Sequence, residues 1–231
     1  VTLIAASPTF MRAYLHRFEP KQFATLVHLV LGAEKLKPEL AREMREKLGF
    51  DPQEGYGCTE LSPVVSVNLP YDKKLPDGRI VKGNRMGTVG LPVPGTAIKI
   101  IDPETGTELP QGAEGTILIS GPQVMVGYLN RPEATAKVLK DGWYNTGDLG
   151  YVDPDGFLKV TDRLSRFSKI AGEMVPHMAV ESAIQEATGT DDQVIAITSV
   201  PDPKRGERLC VVHTPALVVA PDEVVRRLNA G

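Results

Sequence analysis

The sequence predicts an α/β fold with α+β parts, and three observations carry that prediction. Between Val1 and Gly49 apolar runs alternate with helical spacing; from Val64 the pattern breaks into short β segments divided by Gly and Pro; near Arg163–Ser165 a second α/β order begins. A composition of 42% apolar and 24% charged residues is that of a globular chain long enough for one large or two small domains.

Val1 to Ala6 reads as a short strand. Ser7-Pro8-Thr9 then supplies a hydroxyl cap and a proline for the first turn of a helix carrying Phe10, Tyr14 and Leu15. The apolar run Leu26 to Leu31 ends at Gly32-Ala33-Glu34. Lys37 to Leu48 sets Leu40, Met44 and Leu48 on one helical face, and Gly49 closes it. Strand, helix, strand, helix implies a parallel sheet, whose ligands sit beyond the carboxyl ends of strands. Gly32–Glu34 and Gly55–Glu60 both fall there.

Short β segments follow at Gly87–Gly90, Pro92–Gly95 and Ala97–Ile101, then a turn at Asp102–Gly106 and a strand at Gly115–Ser120. Together they predict a small antiparallel sheet or barrel, with Tyr71–Asn84 as an exposed loop. Trp143–Val152 leads through the hairpin-like Asp153-Pro154-Asp155-Gly156 to a strand at Phe157–Thr161. Beyond Arg163 the chain is rich in Ser, Lys and Gly. A helix is expected from about Met178 to Ala187, strands at Val194–Val200 and Arg208–His213 with a turn from Pro201 to Gly206, and the start of a helix running into Leu228–Gly231.

Several function classes are disfavoured. A formal net charge of -3 with scattered Lys and Arg argues against a general nucleic-acid or membrane-surface binder. Two cysteines, Cys58 and Cys210, are too few for a disulfide framework or a zinc site, and His16, His28, His177 and His213 share no ligand spacing. A reducing, cytoplasmic setting is expected. No apolar run approaches the roughly 18 residues a membrane helix needs. There is no initiator Met, and both ends read as cut from something longer.

The stretch Glu54-Gly55-Tyr56-Gly57-Cys58-Thr59-Glu60 stands out chemically. Its glycines allow a tight turn and close approach to a ligand, Tyr56 offers a ring face, and Thr59-Glu60 supply a hydroxyl and a carboxylate. That set suits a nucleotide with a metal-bound phosphate. It suits an ordinary strand-to-helix turn as well. Cys58 has no base beside it in sequence and reads as a packing residue.

Taken in order, Gly55–Glu60, Gly87–Gly90 with Pro94-Gly95, Gly115–Leu129 with Pro132–Thr135, Tyr144–Asp148 and Asp162–Gly172 resemble the core motifs of the acyl-adenylate-forming superfamily. Its members include acyl-CoA and acyl-carrier-protein synthetases and the adenylation domains of peptide synthetases. Gly32–Leu36, Gly57–Ser66 and Arg166–Val175 are more similar still to the synthetase half of bifunctional acyl-carrier-protein synthetase/2-acylglycerophosphoethanolamine acyltransferases. The resemblance implies that 1–162 is the C-terminal portion of a large adenylate-forming domain, with an α/β part (1–63) and a β-rich part (64–162). It makes 163–231 a hinge and an incomplete C-terminal lid domain.

The implied reaction joins a fatty acid to ATP as an acyl-adenylate, then passes the acyl group to a phosphopantetheine thiol of acyl-carrier protein or CoA, releasing AMP. By the match, Thr59 donates to the α-phosphate and Glu60 helps hold Mg²⁺. Tyr56 lies along the adenine, with Gly57 beside it and the backbone of Gly32, Ala33 and Glu34 on its other side. Asp148 accepts the ribose hydroxyls and Arg163 adds a cationic donor nearby. Ser165 stands at the hinge pivot, where many relatives carry Asp or Lys, and Gly172 brings backbone to the pantetheine channel. Lys169 either supports that loop or is solvated. The resemblance also opens a fusion to lysophospholipid acylation and an association of the full-length protein with the inner membrane.

The family's phosphate loop ending in Pro-Lys is expected upstream of Val1 and its catalytic lysine beyond Gly231, so the 231-residue chain alone is expected to be inactive or severely impaired in adenylation. Two further readings stand beside the ligase: a nucleotide-binding scaffold module, and an amino-acid adenylation domain.

Overall fold

The computed structural model describes residues 1–74, 76–190 and 194–228. It divides into two compact units, Val1–Thr161 and Asp162–Gly231.

The first unit opens as the alternation requires. Strand β1 (Leu3–Ala6) passes through helix α1 (Pro8–Arg17) to β2 (His28–Leu31), and helix α2 (Pro38–Leu48) leads to β3 (Gln53–Tyr56). The three strands are parallel. Ser7 caps α1 by accepting from the Phe10 N–H at 3.4 Å, and Gly49 ends α2 in the left-handed region. The core between helices and sheet holds Met11, Leu15, Leu29, Leu31, Leu40 and Met44. On α1 the inward residues are Met11 and Leu15, one turn apart; Phe10 and Tyr14 face outward, at 63% and 37% exposure.

Beyond β3 the sheet is not parallel. β4 (Ser66–Val67) pairs antiparallel with β3, and β7 (Leu91–Pro92) pairs antiparallel with β4. The reason is length: the connection 57–65 is too short for the crossover of a dozen or more residues that parallel pairing needs. Between them, Tyr71–Asn84 is not wholly a loop, since β5 (Lys73–Lys74) and β6 (Ile80–Val81) form a small antiparallel ribbon.

An antiparallel sheet follows, as the β-rich pattern predicts. It comprises β8 (Ala97–Ile101), β9 (Gly115–Ser120), β10 (Leu139–Lys140) and β11 (Trp143–Val152) in the order β10-β11-β9-β8, with β12 (Leu158–Arg163) also on β11. Ile117, Ile119, Tyr144 and Leu158 pack with Leu61 and Val65 into a second core. Between β9 and β10 lies helix α3 (Pro132–Val138), opened by Pro132.

In the second unit the Ser-, Lys- and Gly-rich stretch is a hairpin, β13 (Phe167–Ile170) with β14 (Glu173–Pro176). Its two turn residues, Ala171 and Gly172, have φ of 52° and 94°. Two positive φ values are what a tight hairpin matched to strand twist demands. Helix α4 (His177–Thr188), β15 (Ile195–Asp202), β16 (Gly206–His213) and α5 (Pro221–Leu228) complete it, in the sheet order β14-β13-β16-β15. The turn expected at Pro201–Gly206 shrinks to Pro203-Lys204-Arg205, because Asp202 accepts from the Lys204 and Arg205 N–H groups and closes the ladder early. Ile184, Val194, Ile195, Ile197 and Val224 form the core. The helical expectation at 229–231 lies outside the described residues.

Candidate functional site

The carboxyl ends of β2 and β3 lie side by side. A Cβ on Gly32 would stand 3.3 Å from the Gly55 carbonyl oxygen, so the segment after β2 runs close against β3. After Tyr56 the chain doubles back at once: the Val65 N–H donates to the Tyr56 carbonyl at 2.8 Å, and a Cβ on Gly57 would fall 1.7 Å from the Pro63 oxygen. Only glycine permits that backbone approach.

Tyr56 is half-buried against the second core, and its hydroxyl donates to Asp148 Oδ2 at 2.5 Å across 92 residues of sequence. Burial, then the Asp148 charge, pushes the phenol well above its ordinary value of 10, so it remains a protonated donor. Asp148 owes its position to an irregularity in β11, whose pairing with β9 shifts between Asn145 and Leu149. Thr146 fastens the bulge: its hydroxyl donates to the Ile117 carbonyl at 2.9 Å and accepts from the Asp148 N–H at 3.0 Å.

Thr59 and Glu60 sit on a 3₁₀ turn, Thr59–Leu61, with Thr59 exposed and Glu60 half-buried. The Glu60 carboxylate accepts from the Tyr128 hydroxyl at 2.8 Å, and its carbonyl accepts from the Met125 N–H at 2.8 Å. Cys58 packs against the second core; burial first, then its bond to Glu60, pushes its thiol up to about 11. A thiol so far from ionisation is a packing residue and no nucleophile at neutral pH.

Gly32, Ala33 and Glu34 follow β2, with the Gly32 N–H bonded to the Ala6 carbonyl and Ala33 in the left-handed region at φ 69°. The Glu34 carboxylate is committed to α1, accepting from Thr9 Oγ1 at 2.6 Å and the Thr9 N–H at 3.3 Å. Any share it has in the site is therefore through its backbone. Arg163, Ser165 and Gly172 belong to the second unit: all three are exposed, Arg163 donates its N–H to Asp162 at 2.7 Å, Ser165 lies on the 3₁₀ turn Leu164–Arg166, and Gly172 is at the hairpin tip.

The structure thus brings Tyr56 to Asp148 and keeps Gly57, Thr59 and Glu60 on the adjoining turn. It also adds Tyr128, a residue that the sequence places in a motif without giving it a role. Its only local signal is an aromatic between Gly127 and the proline that opens α3. A hollow of about 220 Å³ along α2 is lined by Pro38, Ala41, Arg42, Arg45, Asp51 and Met86, and by none of the site residues.

No group of three or more His, Cys, Asp or Glu side chains able to hold a metal occurs among the described residues. That donor set does not fit a resident, protein-caged ion. A single half-buried carboxylate does fit Mg²⁺ arriving on nucleotide phosphates, since Mg²⁺ keeps water and phosphate ligands and takes one or two carboxylates.

Residues 1–129 match the family model described as AMP-binding enzyme. The chain belongs to the AMP-binding enzyme family. Among curated members it is 35% identical over 208 residues to a long-chain-fatty-acid–CoA ligase of Bacillus subtilis, covering 89% of this chain and 35% of that one. It is also 35% identical over 218 residues to a feruloyl-CoA synthase of an Amycolatopsis species, covering 94% and 42%. The chain therefore spans between about a third and two-fifths of the length of the curated family members it matches. Of solved structures, ATP-bound MatB from Rhodopseudomonas palustris superposes with a TM-score of 0.77 at 30% identity, covering 100% of this chain and 44% of that one. The o-succinylbenzoate-CoA synthetase MenE from Bacillus subtilis, in complex with its acyl-adenylate intermediate, gives 0.76 at 28%, again 100% and 44%. The mixed α/β fold is accordingly that of part of an adenylate-forming enzyme. No helix among the described residues is long and apolar enough to cross a membrane.

Proposed function

We propose that this chain forms the adenine and ribose wall of an AMP-forming acid–thiol ligase that activates a fatty carboxylate with ATP and passes it to a phosphopantetheine thiol. The observation that carries the reading is the Tyr56–Asp148 contact, made at the carboxyl end of β3 in a chain whose first 129 residues match the AMP-binding family. Tyr56 presents its ring to adenine while its hydroxyl holds Asp148, and the Asp148 carboxylate accepts from the ribose hydroxyls. Thr59 donates to the α-phosphate that the substrate carboxylate attacks. Glu60 supplies a hard oxygen for Mg²⁺, which when bound neutralises phosphate charge.

In the same reading Gly57 and the backbone of Gly32–Glu34 border the adenine, and Arg163 serves the ribose. Residues 163–231 act as a lid that turns about Ser165, after which Gly172 lines the path of the thiol. CoA is the acceptor that the named relatives support. The run Arg166–Val175 supports acyl-carrier protein as the acceptor, with a fused lysophospholipid acyltransferase and a cytoplasmic or inner-membrane-associated whole protein. Calorimetric titration with AMP and with an acyl-sulfamoyl-adenosine mimic tests the reading: the chain is expected to bind both, and a chain binding neither is no nucleotide wall. Acyl transfer by the full-length protein, assayed side by side on CoA and on acyl-carrier protein, separates the two acceptors.

A further inference from the structure

Tyr128 lies on the loop 121–131 between β9 and α3, and this loop behaves unevenly. Val126 is 100% exposed and Leu129 89%, yet Tyr128 between them turns inward. Apolar burial alone does not explain a loop that exposes two aliphatic side chains and withdraws the one residue with a hydroxyl. The backbone there is fixed on both sides. The Tyr128 N–H donates to Thr135 Oγ1 at 2.9 Å, and Thr135 donates onward to the Arg131 carbonyl at 3.0 Å. A Cβ on Gly127 would meet Thr135 at 2.9 Å, so this tight seat requires the glycine.

From that seat the loop reaches Glu60 twice, through the Met125 N–H to its carbonyl and the Tyr128 hydroxyl to its carboxylate, each at 2.8 Å. The bond to Glu60 is the chief reason the Tyr128 phenol is raised above its ordinary 10. The hydroxyl of Tyr128 thus meets the Glu60 carboxylate from a loop whose backbone is fixed on both sides.

We infer that Tyr128 is a positioning residue for Glu60, holding its carboxylate in the one orientation that receives a nucleotide-borne divalent cation. The inference rests on the reading of Glu60 as the cation's carboxylate. Groups that hold a metal-binding carboxylate typically change metal affinity by about 10-fold or more when removed.

The test compares the full chain with Tyr128→Phe, Glu60→Ala and the double variant, titrated with ATP in Mg²⁺ and with AMP in EDTA. Tyr128→Phe is expected to weaken MgATP binding by about 10-fold, to raise the Mg²⁺ concentration for half-saturation, and to leave metal-free AMP binding within about twofold of wild type. In the Glu60→Ala background it should add nothing further. Equal MgATP affinity for Tyr128→Phe and wild type overturns the inference. So does an equal loss for metal-free AMP, which would make the phenol a general support of the fold, or two losses that simply multiply. Should wild type bind ATP alike with and without Mg²⁺, the reading of Glu60 fails and this inference with it.

Discussion

Two carboxylates of the first unit, Asp148 and Glu60, are held differently from Glu181 in the second. In the first, Asp148 takes a hydrogen bond from the Tyr56 phenol and Glu60 takes one from the Tyr128 phenol. In the second, Glu181 is gripped by the Arg166 guanidinium at 2.5 Å and by the Ile197 N–H at 2.8 Å. A phenol orients a carboxylate without cancelling its charge, whereas a guanidinium does both. Glu181 therefore stitches α4 to β15, while the bonds to Asp148 and Glu60 preserve the charge that a ribose hydroxyl or a cation would meet. Glu54 is a third kind, buried and bonded to the Gly87 N–H at 3.2 Å, an acid turned wholly to structure.

The sharpest way to break this contrast is Asp148→Ala. If its charge serves a ligand, AMP affinity should fall by roughly 100-fold, the loss of two hydrogen bonds to a charged acceptor, with a melting temperature lowered only by the cost of the released Tyr56 hydroxyl. Calorimetry beside a thermal melt reads both. Arg166→Met should do the reverse, costing about 2 kcal/mol of second-unit stability in denaturant titration and leaving AMP affinity where it was; the figure is set below the fully buried range because the Arg166 side chain is 35% exposed. Tyr56→Phe keeps the ring and removes the phenol, so AMP should weaken only about fivefold. An effect as large as that of Asp148→Ala would mean the hydroxyl itself meets the nucleotide.

Glu54 gives the smallest and most diagnostic effect, through pH. Burial raises its carboxyl above the ordinary 4.5, so the folded state holds the proton more tightly than the unfolded. Its stabilising share is complete below that value and is lost as pH rises through the folded value. Melting temperatures across that range should slope downward more in wild type than in Glu54→Gln, and parallel curves would refute the assignment.

Much of this was legible in order along the chain. β1 and β2 follow from apolar runs, and the cap at Ser7 and stop at Gly49 from single residues, whereas β3, Gln53–Tyr56, has no apolar run and reads as a turn. Tyr56, Glu60 and Asp148 stand in short motifs that a local reading finds. What escaped depended on geometry between distant residues. Ala171-Gly172 looked like loop composition, yet two positive φ values there make a hairpin. Helix α3 has seven residues, too few to show a period. On α1 the apolar spacing offers Phe10 and Tyr14 as readily as Met11, and only the packed sheet decides between them. Tyr128 stands in a motif that gives it no role, because its meaning lies in a carboxylate 68 positions earlier.

The irregularity in β11 separates the placing of Asp148 from the pairing of the sheet. From Asn145 to Leu149 the strand advances four residues while its partner moves only from Leu118 to Thr116, so β11 carries two surplus residues there. Two is an even number, so the alternation of faces resumes unbroken, with Leu149 on the same face as Asn145. Deleting one residue in this stretch would reverse every side chain beyond it. Deleting two would leave an unbroken ladder, and a sheet able to fold without Asp148. Asp148 thus stands among residues that pairing with β9 does not require, so the acid can be altered separately from the ladder.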